Sequence, residues 1–134
     1  MAVAERKTLQ ASTVMPSLTV DDLQKSLSFF EALGFEVEER WEDNGALTGA
    51  MLKAGDARLG INQDDWKKGR DRAKGVGMRI YIEAADNIDD VAARAKASGV
   101  ALQSEPRDTE WGSRAFEVIE PSGFMLTIAS RSTK

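Results

Sequence analysis

The stretch that decides the fold is VMPSLTVDDLQKSLSFFEALGF, residues 14–35. Its first part alternates, with Leu18 and Val20 on one face, and this period of two predicts a strand over Val14–Val20. An acidic cap with a glutamine three residues on and apolar residues at helical spacing then predict a helix over Asp22–Leu33. Gly34 suits the left-handed backbone conformation of the residue that ends such a helix. The stretch therefore predicts a strand that leads directly into an amphipathic helix.

The same pattern returns in the second half of the chain. The interval from Asp21 to Gly34 equals the interval from Asp86 to Gly99, at an offset of 65, and predicts a second helix over Ile88–Ser98. Further on, Leu-Gly-Ile at 59–61 matches Leu-Thr-Ile at 126–128, at an offset of 67. Two tandem βαβββ units account for both matches. A single undivided α+β sheet is the alternative, and it leaves the equal spacing to coincidence.

The remaining strands are predicted from apolar alternation between turn-forming residues. They are expected at Phe35–Trp41, Ala46–Lys53, Ala57–Gln63, Gly77–Glu83, Val100–Gln103, Arg114–Ile119 and Met125–Ser130. The resulting division is an N-terminal arm over 1–12 and one domain over 13–134. Module 1 covers about 13–64 and module 2 about 76–130, joined by a charged connector over Asp64–Gly75.

Composition excludes several functional classes. The 134 residues contain no cysteine, which rules out disulfides and thiolate chemistry, and no histidine, which removes the commonest acid–base group and metal ligand. The net charge is −4, and the basic residues alternate with acids, which argues against a nucleic-acid partner. No secretory leader and no membrane-spanning run can be read from the sequence, so a cytoplasmic location is expected.

Several motifs resemble those of the glyoxalase/bleomycin-resistance/dioxygenase family, the vicinal oxygen chelate superfamily. They are the strand and helix of 14–35, Trp-Gly-Ser-Arg at 111–114, and Glu-Pro-Ser-Gly-Phe at 120–124, where Glu120 stands in for the usual Asp. The resemblance runs from about Val14 to Ala129. It implies an α+β fold in which two tandem βαβββ modules form a cup-shaped eight-stranded mixed sheet with outer helices, usually as a homodimer.

Strand alternation predicts which residues face the cup. Apolar residues such as Leu18, Val20, Ile80 and Ile82 should pack beneath the helices, which turns the alternate residues inward. In metal-binding members of the family, each of four inward strands carries one ligand, typically His or Glu. The corresponding positions here are Met15, Gly60, Arg79 and Thr127, and none of these residues is a suitable donor for a catalytic divalent ion. No metal and no cofactor are therefore expected.

The aromatic and charged residues leave several interpretations open. Arg79 and Glu83 flank Tyr81 on the predicted inward face, either as an ion pair or as anchors for a ligand. Trp111 is interpreted as a pocket wall, whereas Trp41 is interpreted as structural. Trp66 at the rim could be a lid or a dimer contact, and the adjacent Asp64-Asp65 pair is expected to be solvated.

Two functional hypotheses follow from this sequence. The first is a metal-free protein that binds a small molecule in the β-cup. Its candidate ligand-binding residues are Met15, Ser17, Arg58, Asn62, Arg79, Tyr81, Glu83, Trp111, Met125 and Thr127. The alternative is a lyase, isomerase or other glyoxalase-like enzyme that uses Glu83 or Tyr81 as its acid–base group, or an atypical metal site. A homodimer is expected in both cases, because unpaired sheet edges invite aggregation.

Overall fold

The computed structural model describes residues 7–133 of the chain, which form eight strands and two helices. In chain order these are β1 (Ser17–Val20), α1 (Leu23–Ala32), β2 (Glu36–Asp43), β3 (Ala46–Ala54), β4 (Ala57–Gln63), β5 (Arg79–Ala84), α2 (Ile88–Ala97), β6 (Leu102–Asp108), β7 (Arg114–Ile119) and β8 (Met125–Ser130). Both predicted helices are confirmed within a residue or two at each end. Residues 1–6 of the predicted N-terminal arm lie outside the described residues.

The strands form two four-stranded sheets of identical topology. Sheet 1 has the order β1-β4-β3-β2, and sheet 2 has the order β5-β8-β7-β6. In each sheet the first strand runs parallel to the fourth, and the other pairs are antiparallel. Ser17 pairs with Gly60 in sheet 1 and Tyr81 pairs with Thr127 in sheet 2, so the register repeats as well. The prediction of two tandem βαβββ modules is confirmed.

Both helices begin and end by the same local devices. Side-chain oxygens of Asp22 and Asn87 accept hydrogen bonds from backbone N–H groups in the first turns of α1 and α2, at 3.2 and 3.0 Å. Gly34 has a φ of 105°, which allows the N–H of Phe35 to bond the carbonyl of Phe30 at 3.0 Å and to end α1. The turn at Gly99 ends α2 in the same way.

The hydrophobic core lies between the helices and one face of each sheet. Leu18 and Val20 of β1 are buried together with Leu27 and Phe30 of α1, while Ser17 and its alternate neighbours are exposed. In β5 the isoleucines are half-buried and the residues between them are exposed. The predicted helix-facing set is therefore confirmed, and the alternate residues of β1 and β5 lie on the opposite face of their sheets. We call the face of each sheet that points away from the helices its open face.

The sixth strand differs most from its prediction. It was expected at Val100–Gln103 but runs over Leu102–Asp108, through Pro106. A proline removes a backbone donor, which is tolerated at an edge strand because one side of that strand has no partner in the sheet. The strand β6 is such an edge.

A buried ion cluster fastens the connector between the modules. The carboxylate of Asp64, whose side chain is only 3% exposed, contacts Arg72 at 2.6 Å and Lys74 at 2.9 Å, and Lys74 also binds Asp21. The prediction that Asp64 is solvated is therefore wrong, because the connector folds back and brings its own cations to this carboxylate. Asp65, with a side chain 65% exposed, is solvated as predicted.

The hydrogen bond from Lys74 is the main reason why the pKa of Asp64 lies well below its ordinary value. A second bond, from the backbone N–H of Trp66 at 2.8 Å, acts in the same direction, and burial opposes both. The Trp66 ring packs against the cations Lys74 and Arg70, at 4.6 and 4.9 Å from the ring centre. Its role as a lid or dimer contact stays a prediction. Across residues 7–133, no helix is long and apolar enough to cross a membrane.

Candidate functional site

A hydrogen-bonded aromatic pair stands on the open face of sheet 2. The indole Nε1–H of Trp111 donates to the phenol oxygen of Tyr81 at 3.0 Å, and the two residues are 47% and 50% exposed. Trp111 is presented by the turn between β6 and β7, in which the N–H of Thr109 bonds the carbonyl of Ser113 at 2.8 Å. Large aromatic side chains are usually covered in a folded protein, so a half-exposed pair is a candidate for ligand contact.

An ion network lies beside this aromatic pair. Arg79 contacts Glu117 at 3.3 Å, and Arg107 contacts the same carboxylate at 3.5 Å. The pairing of Arg79 with Glu83 considered from the sequence is wrong. Glu83 lies four residues further along the same strand, about 13 Å away, and it contacts Arg131 at 3.5 Å at the end of the neighbouring strand. Arg79 nevertheless faces the open side, as predicted, with its side chain 69% exposed.

A shallow cavity of about 620 Å³ lies at the end of β5 where Arg79 emerges. Its lining includes Arg79, Met78, Met125 and the glycines Gly75 and Gly123. The backbones of these two glycines touch, since a Cβ placed on Gly75 would lie 2.5 Å from the carbonyl oxygen of Gly123. The candidate residues Met125 and Thr127 are both half-buried in β8. Sheet 2 therefore gathers Arg79, Tyr81, Trp111, Met125 and Thr127 on one side.

The open face of sheet 1 holds a second, smaller group. The amide nitrogen of Asn62 donates to the hydroxyl oxygen of Ser17 at 2.8 Å. Met15, half-exposed, lies just before β1. Arg58 is engaged in a bidentate pair with Glu38, with both N–O distances at 2.8 Å, so two of its five N–H donors are already occupied. That hydrogen bond is the main reason why the pKa of Glu38 is lowered and the pKa of Arg58 is raised.

Trp41 belongs to this open face, although sequence reasoning assigned it a structural role. It pairs with Gly49 across β2 and β3, and its benzo ring reaches over Gly49 to Gly60 on β4. The signal that could have identified it is the presence of two glycines inside predicted strands, which often marks a place that another group approaches closely.

The four positions that correspond to metal ligands in the family do not suit a metal. Met15 offers a thioether, Gly60 no side chain, Arg79 a permanent cation and Thr127 a hydroxyl, and none of these is a good donor for a divalent ion. A long side chain at Gly60 would also meet Trp41, whose ring lies 3.5 Å from the position of a Cβ there. Within residues 7–133, no three or more Asp or Glu residues come together in a way that could hold a metal ion.

The two groups of candidate residues lie on separate sheets. No hydrogen-bonded ladder joins sheet 1 to sheet 2 in the described part of the chain. The candidates from sheet 1 are Met15, Ser17, Arg58 and Asn62, and those from sheet 2 are Arg79, Tyr81, Glu83, Trp111, Met125 and Thr127. The geometry thus provides two polar and aromatic surfaces.

The model of the glyoxalase/bleomycin resistance protein/dioxygenase superfamily matches residues 11–128, most of the chain. The chain belongs to this superfamily. Its two βαβββ modules are the arrangement that the resemblance implied. A search of the curated proteins finds no match to this chain.

Solved structures with the same fold include three informative ones. TioX from Micromonospora sp. ML1 is 19% identical with a TM-score of 0.72, covering 90% of this chain and 98% of its own. A superfamily member from Sphaerobacter thermophilus is 22% identical with a TM-score of 0.69, and the match covers 92% of this chain and 100% of that one. A glyoxalase-related enzyme from Fulvimarina pelagi is 17% identical with a TM-score of 0.69, and the match covers 92% of this chain and 89% of that one. At these identities the likeness concerns the fold alone.

Proposed function

We propose that this chain is a metal-free small-molecule-binding protein of the glyoxalase/bleomycin-resistance type, acting in the cytoplasm. Its ligand is held on the open faces of the two sheets. The observation that carries the proposal is the half-exposed, hydrogen-bonded pair of Tyr81 and Trp111 beside the Arg79–Glu117 ion pair. Together these groups offer two aromatic surfaces and a cation within one patch, which suits an organic ligand with a ring and an anionic or carbonyl group.

The residues at the family's metal positions support a metal-free protein. A catalytic divalent ion in this family needs oxygen or nitrogen donors from four strands, and the side chains of Met15, Arg79 and Thr127 do not provide that set. The guanidinium of Arg79 places a fixed positive charge where the ion would sit, and a guanidinium does not lose its proton in a protein.

The enzyme hypothesis has weaker support. Glu83, its candidate acid–base residue, has a half-exposed side chain that contacts Arg131 rather than Tyr81. The glyoxalase-related enzyme from Fulvimarina pelagi shares the fold at 17% identity, which carries no chemistry to this chain. We therefore place binding first and keep catalysis as the outcome that the experiment must exclude.

A homodimer is part of the proposal. The edge strands β2 and β6 are protected against pairing, β2 by six charged residues and β6 by Pro106 and three charges. The opposite edges, β1 and β5, carry no proline and fewer charges, none in β1 and two in β5. Pairing of these edges between two copies would bring open faces from both chains to one site.

The experiment combines a ligand screen with a metal measurement. Thermal-shift screening of small planar organic acids and amides should identify stabilising compounds, and elemental analysis of protein purified without chelator should find no stoichiometric metal. Turnover of any stabilising compound that disappears on adding a chelator would instead support the enzyme hypothesis. One tightly bound metal ion per chain would contradict the proposal directly.

A further inference from the structure

The open face of sheet 1 has a tryptophan laid across two glycines. A Cβ built on Gly49 would lie 2.8 Å from Cε3 of Trp41 and 2.7 Å from the carbonyl oxygen of Ile61. Any side chain at position 49 would therefore displace the indole or the neighbouring strand. At Gly60 a Cβ would lie 3.5 Å from Cη2 of Trp41, so a methyl group fits there but a longer side chain meets the ring.

Space, and not backbone conformation, explains the glycine at position 49, and space limits position 60 to a small residue. Neither Gly49 nor Gly60 is among the glycines with a positive φ, so other residues could adopt their backbone angles. Glycine weakens the interior of a strand, and its presence there often marks the close approach of another group. Because Trp41 starts on β2 and reaches atoms over β3 and β4, its ring lies along the sheet instead of standing away from it.

The ring is only partly covered in this position. Trp41 is half-buried, with the sheet beneath it and no helix above it, since both helices pack on the other faces. A tryptophan needed only for packing would gain more from the helix side, where Phe30 and Leu52 are fully buried. The exposed part of the indole is available to a second flat group.

Two polar side chains border this surface. Ser17 accepts a hydrogen bond from the amide nitrogen of Asn62 at 2.8 Å, which leaves the Ser17 hydroxyl proton free to be donated. The Asn62 carbonyl oxygen lies 2.8 Å from the same vacant Cβ position at Gly49 that Trp41 approaches. Among residues 7–133, no hydrogen bond uses this oxygen, so it is free to accept one. A donor and an acceptor thus lie side by side at the edge of an aromatic surface.

We propose that Trp41, whose ring lies over Gly49 and Gly60, forms an aromatic platform on which a planar ring of the ligand stacks. The Ser17 hydroxyl then donates a hydrogen bond to a carbonyl oxygen on that ring, and the Asn62 carbonyl oxygen accepts one from the adjacent N–H. A carbonyl beside an N–H is the pattern of a cyclic amide. The proposal rests on the proposed binding function and extends it to sheet 1, where the platform takes the space beside Gly60 that a metal ligand would need. The ligand class is a planar heterocyclic lactam or imide.

The test uses the intact protein and a named probe. The probe is 2-quinolinone, a planar bicyclic lactam, and quinoline is the comparator because it has the same ring system without the amide edge. Titration is followed by the indole N–H signals in a two-dimensional proton–nitrogen NMR spectrum. The three indole signals are assigned with Trp66→Phe and Trp111→Phe, and Trp66→Phe also serves as the matched control away from the platform.

The platform predicts that 2-quinolinone shifts the Trp41 indole signal. Trp41→Leu should weaken binding by about tenfold, the usual size of one stacked ring. Trp41→Phe, which keeps a ring over the glycines, should keep part of the affinity, and Trp66→Phe should keep all of it. Ser17→Ala should weaken binding of 2-quinolinone but leave quinoline unchanged.

The aromatic platform and the proposed binding function are contradicted by different results. Shifts confined to Trp111, or an affinity that Trp41→Leu leaves unchanged, would overturn the platform while the binding function stands. Tighter binding of quinoline than of 2-quinolinone would overturn the assignment to cyclic amides. If neither the Trp41 nor the Trp111 indole signal shifts when 2-quinolinone and quinoline are at their solubility limits, the platform is contradicted. That result would count against the binding function as well.

Discussion

The hydroxyl of Ser26 donates a hydrogen bond to the carboxylate of Glu120, and both side chains are completely enclosed. Ser26 lies on α1 of module 1, and Glu120 begins the turn between β7 and β8 of module 2. The second oxygen of Glu120 accepts a bond from the N–H of Ser122 at 2.6 Å, and the Ser122 hydroxyl accepts one from the N–H of Asp21 at 2.8 Å. This chain of bonds ties the two modules together.

Removal of the Ser26 hydroxyl should therefore destabilise the protein. Ser26→Ala leaves a buried carboxylate without one of its hydrogen-bond donors, which costs about 2 kcal/mol in the free energy of unfolding. Ser28→Ala is the matched control because Ser28 lies on the same helix and is exposed. Chemical denaturation measures both, and equal stability of the two variants would contradict a stabilising role for the Ser26–Glu120 bond.

Acid should weaken the connector through Asp64. Its pKa is lowered in the folded protein, so its contribution to stability is complete above the unfolded pKa of about 4 and is lost as the pH falls from there toward the folded value. Asp64→Asn has no proton to gain, so the difference in melting temperature between wild type and this variant should shrink below about pH 4. Asp65→Asn, at the exposed neighbour, should show a small difference at every pH.

Substitution of Arg79 separates binding from stability. Arg79→Met should change the melting temperature little, because the arginine is largely exposed and Glu117 keeps its contacts with Arg107 and Ser104. Affinity for the most stabilising compound of the screen should fall by about tenfold, the loss of one charge-assisted hydrogen bond. Arg131→Met is the control, since Arg131 is also exposed and paired. Equal affinity losses in both variants would indicate a general charge effect.

The hydroxyl of Tyr81 should position Trp111. Tyr81→Phe keeps the ring and removes the acceptor of the indole N–H, so the Trp111 signal in a proton–nitrogen spectrum should move and broaden. Because both residues are half-exposed, unfolding should be nearly unaffected, while ligand affinity should fall by about fivefold, equivalent to one net hydrogen bond. An unchanged Trp111 signal would mean that the pair does not persist in solution.

Light scattering tests the homodimer. At micromolar concentration the measured mass should be twice the 14.6 kDa of one chain. The expectation follows from the edges of β1 and β5, which carry few charges, and from exposed apolar residues such as Met78 and Ile119. A mass of one chain would contradict the homodimer.

The sequence by itself determined the modules and the direction of their side chains. Helix positions, the repeated register and the faces of Leu18 and Val20 follow from periods of 3.6 and 2 residues, which are local properties of the chain. The capping residues and the glycines that end the helices act over a few neighbours, so they too can be read from the sequence. The candidates on the inward faces were predicted for the same reason.

Only the tertiary structure decided which side chains meet. Arg79 contacts Glu117 instead of Glu83, and Trp41 fills the space at Gly49 and Gly60, because the sheets bring these residues together from other strands. Asp64 is buried because the connector folds its own cations back onto it. Such contacts depend on how distant segments are placed against each other, and periodicity carries no information about that placement.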